Sequence, residues 1–363
     1  MDFEKGILNK FDKVLFFLVL TILALGFMVL YSASSKYHSQ NVVFRQIIWA
    51  GVGLFFFLLT IRIDYKKIIH ASYLLYVFNV ILLLAVLFIG RTKGGAHRWI
   101  TIGSFNLQPS ELAKIVMILT LSSYLGSHKT DIHRLGVFIS AFGLVLPMFF
   151  LILIEPDLGT ALLFIPVAIA MLFMAGAQIK HLAGVVLMGI GAMPVFWHFL
   201  KDYQKQRLFV FINPNMDPLG SGYTIIQSKI AVGSGGLLGK GWLSGTQNQL
   251  NFLPERHTDF IFSVVGEEWG FLGAIFLILL YFLIVYRSIK IIEATPDVYG
   301  KLAATGIISL FSLQVIINIG MTIGFLPIVG LTLPLISYGG SSLITTFIYI
   351  GLLINIGMRR PLF

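Results

Sequence analysis

Apolar runs long enough to cross a lipid bilayer recur along almost the whole of this 363-residue chain. The hydrocarbon core of a bilayer is about 30 Å thick, so a helix of roughly 20 mainly apolar residues spans it with its backbone hydrogen bonds satisfied internally. We count ten such stretches: Val14–Tyr31, Phe44–Ile61, Ile69–Ile89, Leu112–Leu125, Leu135–Ile154, Gly159–Ala177, Leu182–Leu200, Phe262–Tyr286, Leu302–Phe325 and Leu333–Gly357. The sequence therefore predicts a single polytopic membrane domain over residues 1–363, all-α, with ten transmembrane helices.

Composition excludes several classes of protein. Hydrophobic residues make up 57% of the chain and charged residues 12%, whereas a soluble domain is about 25% charged. The chain has no cysteine, which excludes disulfides, thiolate metal sites and thiol catalysis. The formal net charge is +10, but no soluble segment interleaves Lys and Arg with aromatic residues as nucleic-acid-binding segments do. We therefore expect membrane lipids, and no nucleic acid, among its partners.

The lysines and arginines of the short loops predict the orientation, because these residues concentrate on the cytoplasmic side of a membrane. One side collects Lys and Arg from both chain ends and from alternate loops, so both termini are predicted to be cytoplasmic. The first apolar stretch ends in Ser32-Ala33-Ser34, which could be a signal cleavage site, but its length favours a retained anchor. The loops predicted to face outward are 91–110, 155–158, 201–261 and 326–332.

The segment 201–261, between the seventh and eighth helices, is the longest outward loop. It has no clear helical or strand periodicity, but it contains enough apolar and aromatic residues to pack on the membrane domain and not be disordered. Its Lys and Arg residues outnumber its Asp and Glu residues, which suits an anionic partner. We predict that this extracytoplasmic loop carries part of the active site.

A glycine-rich run, 233–241, lies inside this loop and contains Lys240. It is not a phosphate loop, because Gly241 follows Lys240 where that motif has Ser or Thr, and no parallel-sheet pattern surrounds it as in a dinucleotide-binding fold. No organic cofactor is therefore expected. Two interpretations stay open: a flexible turn between interfacial segments, and backbone amides that approach a phosphate together with Lys240.

The strongest local signal is the run Leu253–Phe262, in which four ionisable residues directly precede an apolar span. Asp259 would be partly desolvated at the mouth of the helix, where burial raises its pKa and Arg256 lowers it, as in the tuning of a general base. The alternative is a helix cap, since Thr258 or Asp259 can accept hydrogen bonds from the free amides of a helix N-terminus.

Further polar residues lie at the predicted outward ends of other helices. They include Arg98, the pair Glu111 and Lys114, and the pair Glu155 and Asp157. Glu111 and Lys114 are three residues apart and share a helix face, so they can form an ion pair. Asp157 and Glu155 could hold a divalent cation through their carboxylate oxygens, although no complete set of ligands is present in the sequence. Ionisable residues at membrane depth are functional candidates, and their convergence on one side favours a common site.

Several motifs, in order along the chain, resemble the SEDS glycosyltransferases, the family of shape, elongation, division and sporulation proteins. These motifs are Gln108–Lys114, Glu155–Thr160, Gly222–Ser228, Ile230–Gly236, Leu253–Phe262, Gly266–Glu268 and Ile336–Ser342. Within this family, the run Gly245–Gln249 followed by Pro254–His257 is more similar to the RodA branch than to the FtsW branch.

The resemblance implies a ten-helix SEDS fold with cytoplasmic termini, in the bacterial inner (cytoplasmic) membrane. It also implies synthesis of peptidoglycan glycan strands from lipid II for cell elongation and rod shape. The implied partner is a class B penicillin-binding protein of the elongation complex. By the family pattern Asp259 is the essential carboxylate, and Glu111, Lys114 and Asp157 line the same cavity.

Our hypothesis for the reaction is that Asp259 takes the proton of a hydroxyl on the acceptor sugar of the growing strand. That oxygen attacks the anomeric carbon of the donor and expels undecaprenyl pyrophosphate, while cations stabilise the developing charge. A divalent cation, Mg or Mn, is the candidate cofactor, with Glu111 and Asp157 as its candidate ligands. The predicted substrate-binding residues are Arg98, Glu111, Lys114, Asp157, Arg207, Lys240, His257 and Ser337.

Two other functions stay open. A flippase for lipid II would also have many spans and buried polar groups, but transporters often show internal repeats and broken helices near mid-membrane, whereas the polar clusters here lie toward one face. A scaffold without catalytic activity would leave the ionisable cluster around Asp259 without a role.

Overall fold

The computed structural model describes residues 10–34, 39–93, 96–102, 105–200 and 202–359. Within these residues, nine helices are long and apolar enough to cross a membrane. They are α1 (Lys13–Ser34), α2 (Ser39–Arg62), α4 (Ser72–Ile89), α6 (Leu135–Ile154), α7 (Leu158–Ala175), α8 (Ile179–Phe199), α12 (Ile261–Glu293), α13 (Val298–Thr322) and α14 (Gly340–Met358). The prediction of a helical, multi-pass membrane protein is confirmed.

A further long helix, α5 (Pro109–Ser127), coincides with the fourth predicted span. It carries Glu111 and Lys114 in its first turns, yet most of its residues are buried. It packs against α4, α7 and α13 in the interior of the bundle, where Glu111 and Lys114 form an ion pair with each other. Whether ten helices cross the membrane stays a prediction.

The shorter helices lie mostly in the 201–261 segment. They are α3 (Tyr65–His70), α9 (Asp202–Ile212), α10 (Ser221–Ser234) and α11 (Thr246–Gln249), with a 3₁₀ turn at Pro214–Met216. The segment therefore contains short helices, although its sequence shows no clear periodicity. Helix α10 packs against α12, and its buried positions recur every third residue, at Gly222, Ile225, Ser228 and Ala231. This helical spacing is not visible as an apolar pattern in the sequence, because three of these four residues are small and not strongly apolar.

A three-stranded antiparallel sheet lies in the predicted outward segment 91–110. Its strands are β1 (Arg91–Lys93), β2 (Ala96–Ile102) and β3 (Phe105–Leu107), in the order β1-β2-β3. The all-α prediction does not include these strands, because runs this short show no clear alternation of apolar and polar residues. In the β2–β3 pair, Ile100 lies opposite Leu107, and β3 leads directly into α5. The sheet thereby holds Arg98 beside the start of α5.

Helix α12 is broken at Gly270, whose backbone angles are φ 66° and ψ −162°. In a continuous α-helix each N–H bonds the carbonyl four residues earlier. The break therefore separates the carbonyls of Glu267 and Glu268 from the N–H groups of Phe271 and Leu272. Four backbone groups need new partners at this point, since unsatisfied backbone groups are costly in a membrane protein.

The glycine-rich run supplies these four partners. The carbonyls of Gly236 and Leu237 accept hydrogen bonds from the two N–H groups, at 2.9 and 3.1 Å. The N–H groups of Lys240 and Gly241 donate to the two carbonyls, both at 3.0 Å. Residues 236–241 thus dock on the break, and we call this segment the helix splice. The run is thus an ordered part of the bundle, and the expectation of a flexible turn is wrong.

Gly270→Ala is expected to destabilise the protein. The backbone conformation at Gly270 is essentially restricted to glycine and costs about 1–3 kcal/mol for other residues, and an added Cβ would lie 2.3 Å from the Gly239 nitrogen. The midpoint of thermal unfolding in detergent should fall well below that of the wild type. The control is Gly233→Ala, because that position in α10 has open space around the new Cβ and alanine is the better helix former. Equal midpoints for the two variants would contradict this account of the splice.

Candidate active site

Residues from distant parts of the chain surround one cavity of about 470 Å³. It is bounded by β2, by the first residues of α5, α7 and α14, by residues 255–259 and by residues 329–332. The polar part of its lining consists of Arg98, Trp99, Gln108, Glu111, Asp157, Thr160, Arg207, Glu255, Thr258, Asp259, Thr332, Tyr338, Ser341 and Ser342. Three helix N-termini meet here, and their dipoles favour a bound anion.

Asp259 lies in the wall of the cavity, in the tight turn before α12. Its N–H donates to the Glu255 carbonyl at 3.1 Å, and its carbonyl accepts a hydrogen bond from Asn318 Nδ2 at 2.9 Å, so the backbone is fixed from two sides. The N-cap of α12 is Phe260, without a side-chain hydrogen bond. The alternative of a capping carboxylate is therefore wrong. The Asp259 carboxylate lies close to Gly330, where an added Cβ would be 3.4 Å from Oδ2.

Burial raises the pKa of the Asp259 carboxyl to about 6. The neighbouring Glu255 carboxylate raises this pKa further, and the Arg207 guanidinium lowers it. A carboxylate with a pKa of about 6 is mostly ionised at neutral pH, and it is more basic than an ordinary aspartate. Asp259 is thus suited to accept a proton from a hydroxyl group bound in the cavity.

Glu255 was not among the predicted site residues, although it belongs to the same ionisable cluster. Its φ of 47° is a left-handed conformation that non-glycine residues rarely adopt, and such residues cluster at functional sites. Its carbonyl accepts hydrogen bonds from the N–H groups of Thr258 and Asp259, both at 3.1 Å, and its Oε2 accepts one from Thr258 Oγ1 at 3.2 Å. The turn at Glu255 therefore fixes Asp259 and places a second carboxylate in the cavity.

Asp157 and Arg98 meet at the start of α7, with 3.7 Å between Oδ1 and Nη1. Asp157 is the N-cap of this helix, and its Oδ1 accepts a hydrogen bond from the Thr160 N–H at 3.2 Å. Its Oδ2 accepts one from Gln108 Nε2 at 3.3 Å. The Asp157 carboxylate is held by three residues, each from a different element, and so joins β2, α5 and α7 at the cavity.

Glu155 lies beside this group and is fully buried. Its two carboxyl oxygens have no hydrogen-bond partner among the described residues. Burial raises the pKa of Glu155 to about 9, and the Asp157 carboxylate adds to the rise, although Arg98 opposes it. Glu155 is therefore protonated and uncharged at neutral pH. Of these two carboxyl groups, Asp157 is the one that forms the ion pair with Arg98.

Glu111 and Lys114 form the ion pair that their spacing predicted, with 2.7 Å between Oε1 and Nζ. Both side chains are buried, and Glu111 Oε2 also accepts a hydrogen bond from Thr345 Oγ1 at 3.2 Å. Glu111 lines the cavity, whereas Lys114 does not. The role of Lys114 is therefore to neutralise Glu111.

Lys240 and Ser337 also lie outside the cavity lining. Lys240 Nζ lies 2.8 Å from Glu267 Oε1 and 2.8 Å from Thr246 Oγ1, so it binds the loop to α12, and its N–H belongs to the splice. This contradicts the interpretation of these amides and Lys240 as a phosphate site. Ser337 Oγ donates to the Thr258 carbonyl at 2.5 Å, next to Asp259. Ser337 therefore positions the cavity wall beside Asp259, whereas Lys240 stabilises the splice.

His257 also lies outside this lining and borders a second, neighbouring cavity that shares Glu255 with the first. Its ring packs on Tyr338, with 6.1 Å between ring centroids, and the Tyr338 N–H donates to its carbonyl at 2.8 Å. Arg207, on α9, does line the first cavity and donates to the Ile328 carbonyl at 3.4 Å. Direct substrate contact by His257 stays a prediction.

Sequence reasoning also missed Gln108, Thr160 and Ser341 as individual cavity residues. All three are polar and lie at or near the first turn of a helix. Their position, as polar residues at the outward start of a predicted membrane helix, is the feature of the sequence that would have identified them.

The predicted metal ligands do not form a metal site by themselves. The described residues contain no group of three or more His, Asp or Glu side chains that could hold a metal ion. Glu111 is already paired with Lys114, and both oxygens of Asp157 accept hydrogen bonds from protein donors. Binding of a divalent cation by Glu111 and Asp157 stays a prediction.

Comparison with known proteins places the chain in a family. The sequence model of the cell cycle proteins FtsW, RodA and SpoVE matches residues 12–361. The chain is 39% identical over 355 residues to stage V sporulation protein E of Bacillus subtilis, covering 95% of this chain and 96% of that protein. It is 38% identical over 354 residues to the peptidoglycan glycosyltransferase MrdB of Escherichia coli, covering 97% and 94%.

A solved structure of a peptidoglycan synthase complex, which concerns the coordination of polymerisation and crosslinking, contains a chain of the same fold. The two chains are 36% identical with a TM-score of 0.84, over 96% of this chain and 98% of that one. Relatives named RodA and relatives named FtsW both match, so the branch stays a prediction. With matches over nearly its whole length, the chain belongs to the SEDS family, the FtsW, RodA and SpoVE cell cycle proteins.

Proposed function

We propose that this protein is a peptidoglycan glycosyltransferase that polymerises glycan strands from lipid II and releases undecaprenyl pyrophosphate. The observation that carries the proposal is the Asp259 carboxylate, whose pKa is about 6, in the wall of a 470 Å³ cavity that also holds two arginines. A relative that is 38% identical is named a peptidoglycan glycosyltransferase, which supports the same chemistry.

In the proposed reaction, Asp259 accepts the proton of the acceptor hydroxyl while that oxygen forms a bond to the anomeric carbon of the donor. The bond from that carbon to the pyrophosphate oxygen breaks, and the electron pair leaves with the lipid pyrophosphate. One direct displacement inverts the anomeric centre. Pyrophosphate leaves as a stable anion, so no second carboxyl group is needed as a general acid.

Arg98 and Arg207 are the cavity residues suited to stabilise the charge that develops on the pyrophosphate. Guanidinium groups match phosphate oxygens in charge and geometry. Both line the cavity with Asp259, and Asp157 fixes Arg98 from its other side. Fixed positive charge aimed at the developing anion is often the largest single contribution to catalysis.

The flippase alternative is less well supported. The cavity is lined by the first residues of three helices, so its polar groups gather at one end of the bundle. A transporter needs a site that opens to both sides in turn, near mid-membrane. The backbone groups at the break in α12 are hydrogen-bonded by the splice. The break does not line this cavity.

We further propose that the cavity faces outward from the bacterial inner membrane, with both termini in the cytoplasm. The Lys and Arg content of the short loops supports this orientation. We propose a class B penicillin-binding protein as partner, and a role in elongation as in the RodA branch. A similar chain from a complex that coordinates polymerisation and crosslinking supports the partner. A divalent cation, Mg or Mn, stays part of the proposal.

The test of the proposed function is gel-resolved polymerisation of purified lipid II by the purified protein, with its partner and with or without Mg or Mn. Long glycan strands from the wild type are the expected result. Movement of labelled lipid II across vesicle membranes without polymer would favour the flippase. If a correctly folded complex neither polymerises lipid II nor moves it across the membrane, the scaffold without catalytic activity becomes the better supported function.

The rate of polymerisation is expected to fall as the pH drops through about 6, because protonated Asp259 cannot act as a base. Glu255→Gln should move this acidic limb to lower pH, since the Glu255 carboxylate raises the pKa of Asp259. The control is Asp131→Asn, a surface residue paired with Arg134, which should leave the profile unchanged. A limb that stays in place in Glu255→Gln would contradict the proposed coupling.

A further inference from the structure

Gln46 is a buried residue on α2, 1% exposed, and it lines neither the cavity that holds Asp259 nor the neighbouring one. Its side chain bonds the backbone just before α14 at two points. Nε2 donates to the Ser337 carbonyl at 3.0 Å, and Oε1 accepts a hydrogen bond from the Gly339 N–H at 3.3 Å. We call residues 337–339 the cavity strip. A side-chain amide carries donors and an acceptor in one neutral group, so Gln46 alone satisfies both backbone groups.

The cavity strip forms part of the wall around Asp259. Tyr338 and Gly339 line this cavity, and the strip lies outside any helix or strand. Backbone groups in the interior of a membrane protein must be paired within the protein, and a segment without regular structure depends on side chains for this pairing. Gln46 therefore supports a part of the cavity wall from α2, although it has no contact with the cavity itself.

The cavity strip also bonds the turn that carries the proposed base. Ser337 Oγ donates to the Thr258 carbonyl at 2.5 Å. The Tyr338 N–H donates to the His257 carbonyl at 2.8 Å. Because Thr258 directly precedes Asp259, these two hydrogen bonds pass a displacement of the strip on to the base. Two successive layers of hydrogen bonds thus connect α2 to the position of the carboxylate.

The turn has a second support, which does not involve the cavity strip. Asn318 Nδ2, on α13, donates to the Asp259 carbonyl at 2.9 Å and to the Leu331 carbonyl at 2.6 Å. Asn318 is fully buried, and its bond to Asp259 would remain if the strip moved. Loss of the Gln46 amide is therefore expected to displace Asp259 and not to unfold the cavity.

We propose that Gln46 is a positioning residue for the general base, because its amide holds the cavity strip against the turn before α12. This inference rests on the proposed function and adds a residue that lies outside the cavity. A general base must lie within hydrogen-bond reach of the proton that it takes. Misplacement by about 1 Å, caused by a change away from the reacting groups, can lower a rate about 10²-fold.

Gln46→Met tests this role, because methionine has a similar length and neither an N–H donor nor a carbonyl acceptor. In the lipid II polymerisation assay, kcat should fall about 10- to 100-fold. KM for lipid II should change little, since every residue of the cavity lining is still present. The assay is run well below the thermal unfolding midpoint of the variant. If Gln46→Met does not fold, Gln46→Asn replaces it, because an amide that is one methylene shorter cannot reach both backbone groups of the strip.

The matched control is Asn355→Leu. Asn355, on α14, is also a fully buried amide that bonds the backbone of another segment, since its Nδ2 donates to three carbonyls within residues 60–63, at 2.5 to 3.1 Å. These bonds lie at the last residues of α2, and Asn355 does not line the cavity. Both variants should lower the unfolding midpoint, but only Gln46→Met should lower kcat. A purely structural role of Gln46 would give the two variants the same kcat.

Gln46→Glu separates the hydrogen bonds from the shape of the side chain. A protonated carboxyl group has one O–H donor and a carbonyl acceptor, so it can make both bonds to the strip, whereas an ionised one cannot donate. A carboxyl group at this buried position is mostly protonated at pH 6. Compared with the wild type at that pH, Gln46→Glu should keep kcat within about twofold, while Gln46→Met remains impaired.

Three results would overturn the positioning role. They are a wild-type kcat in Gln46→Met, equal losses of kcat in Gln46→Met and Asn355→Leu, and a Gln46→Glu protein that is as impaired at pH 6 as Gln46→Met. In each case a wild type that polymerises lipid II leaves the proposed function standing. If the wild type makes no polymer, the proposed function fails, and the positioning of its base by Gln46 fails with it.

Discussion

Asp259→Ala is expected to abolish glycan polymerisation while the protein remains folded. A positioned general base contributes roughly 10²- to 10⁴-fold to a rate, so the residual activity should fall below detection on a gel. The control Asp131→Asn removes a carboxylate from an exposed ion pair that is not part of the cavity lining, and its activity should equal that of the wild type. If Asp259→Ala made polymer at the wild-type rate, Asp259 would not be the general base.

Measurements of thermal stability distinguish an Asp259 variant that has lost only its catalytic base from one that has lost its fold. Burial raises the pKa of Asp259 to about 6, so the folded state holds this proton more tightly than the unfolded state does. The stabilisation from that proton is complete at pH values below the unfolded pKa, and it is lost as the pH rises through about 6. Asp259→Asn should therefore unfold at or above the wild-type temperature at pH 7.5, and this difference should shrink toward pH 4. A large loss of stability at pH 7.5 would mean that the carboxylate is structural.

Lys114→Met is expected to be the most destabilising single substitution around the cavity. It leaves the Glu111 carboxylate buried without its cation, and breaking a buried ion pair in this way costs about 3–5 kcal/mol. The Lys114 side chain is 1% exposed and that of Glu111 7%, so water cannot replace the lost partner. The thermal unfolding midpoint in detergent should fall accordingly, and expression in the membrane should fall with it.

Two controls make this prediction specific. The double variant Glu111→Gln/Lys114→Met has no buried charge and a similar volume, so it should recover most of the lost stability. Arg134→Ala breaks another pair with the same three-residue spacing, but Arg134 is 76% exposed, and exposed pairs contribute less than about 1 kcal/mol. If Lys114→Met and Arg134→Ala lower the midpoint equally, the pair does not stabilise the fold as proposed.

The sequence predicted the helical membrane fold and several residues of the candidate site for a common physical reason. Long apolar runs leave few structures open to a chain in lipid, and a polar residue at the end of such a run stands out. Arg98, Glu111, Asp157 and Asp259 were found in this way, whereas Arg207 was predicted as one of the cations of the long loop; the structure brings all five to one cavity.

The sequence did not predict the features that depend on contacts between distant segments. The Thr345 hydroxyl bonds Glu111, which lies 234 residues earlier, and no local pattern encodes that pair. The sheet at 91–107 consists of strands of three to seven residues, too short for a visible period. Lys240 was expected near a phosphate because lysine commonly binds phosphate, but Glu267 lies within 2.8 Å of it.

The helix splice has a consequence for how the protein is made. As a continuous helix, the 33 residues of α12 would measure about 50 Å, well beyond the roughly 30 Å of a bilayer core. In the proposed orientation, the break at Gly270 leaves Phe271–Glu293 to cross the membrane and places residues 261–269 at the outer end of the helix. In the proposed orientation, residues 236–241 must first be exported before they can dock on the break. Asp259 belongs to the same exported segment and lines the cavity, so in that orientation the newly made chain has no competent site while this segment is still in the cytoplasm.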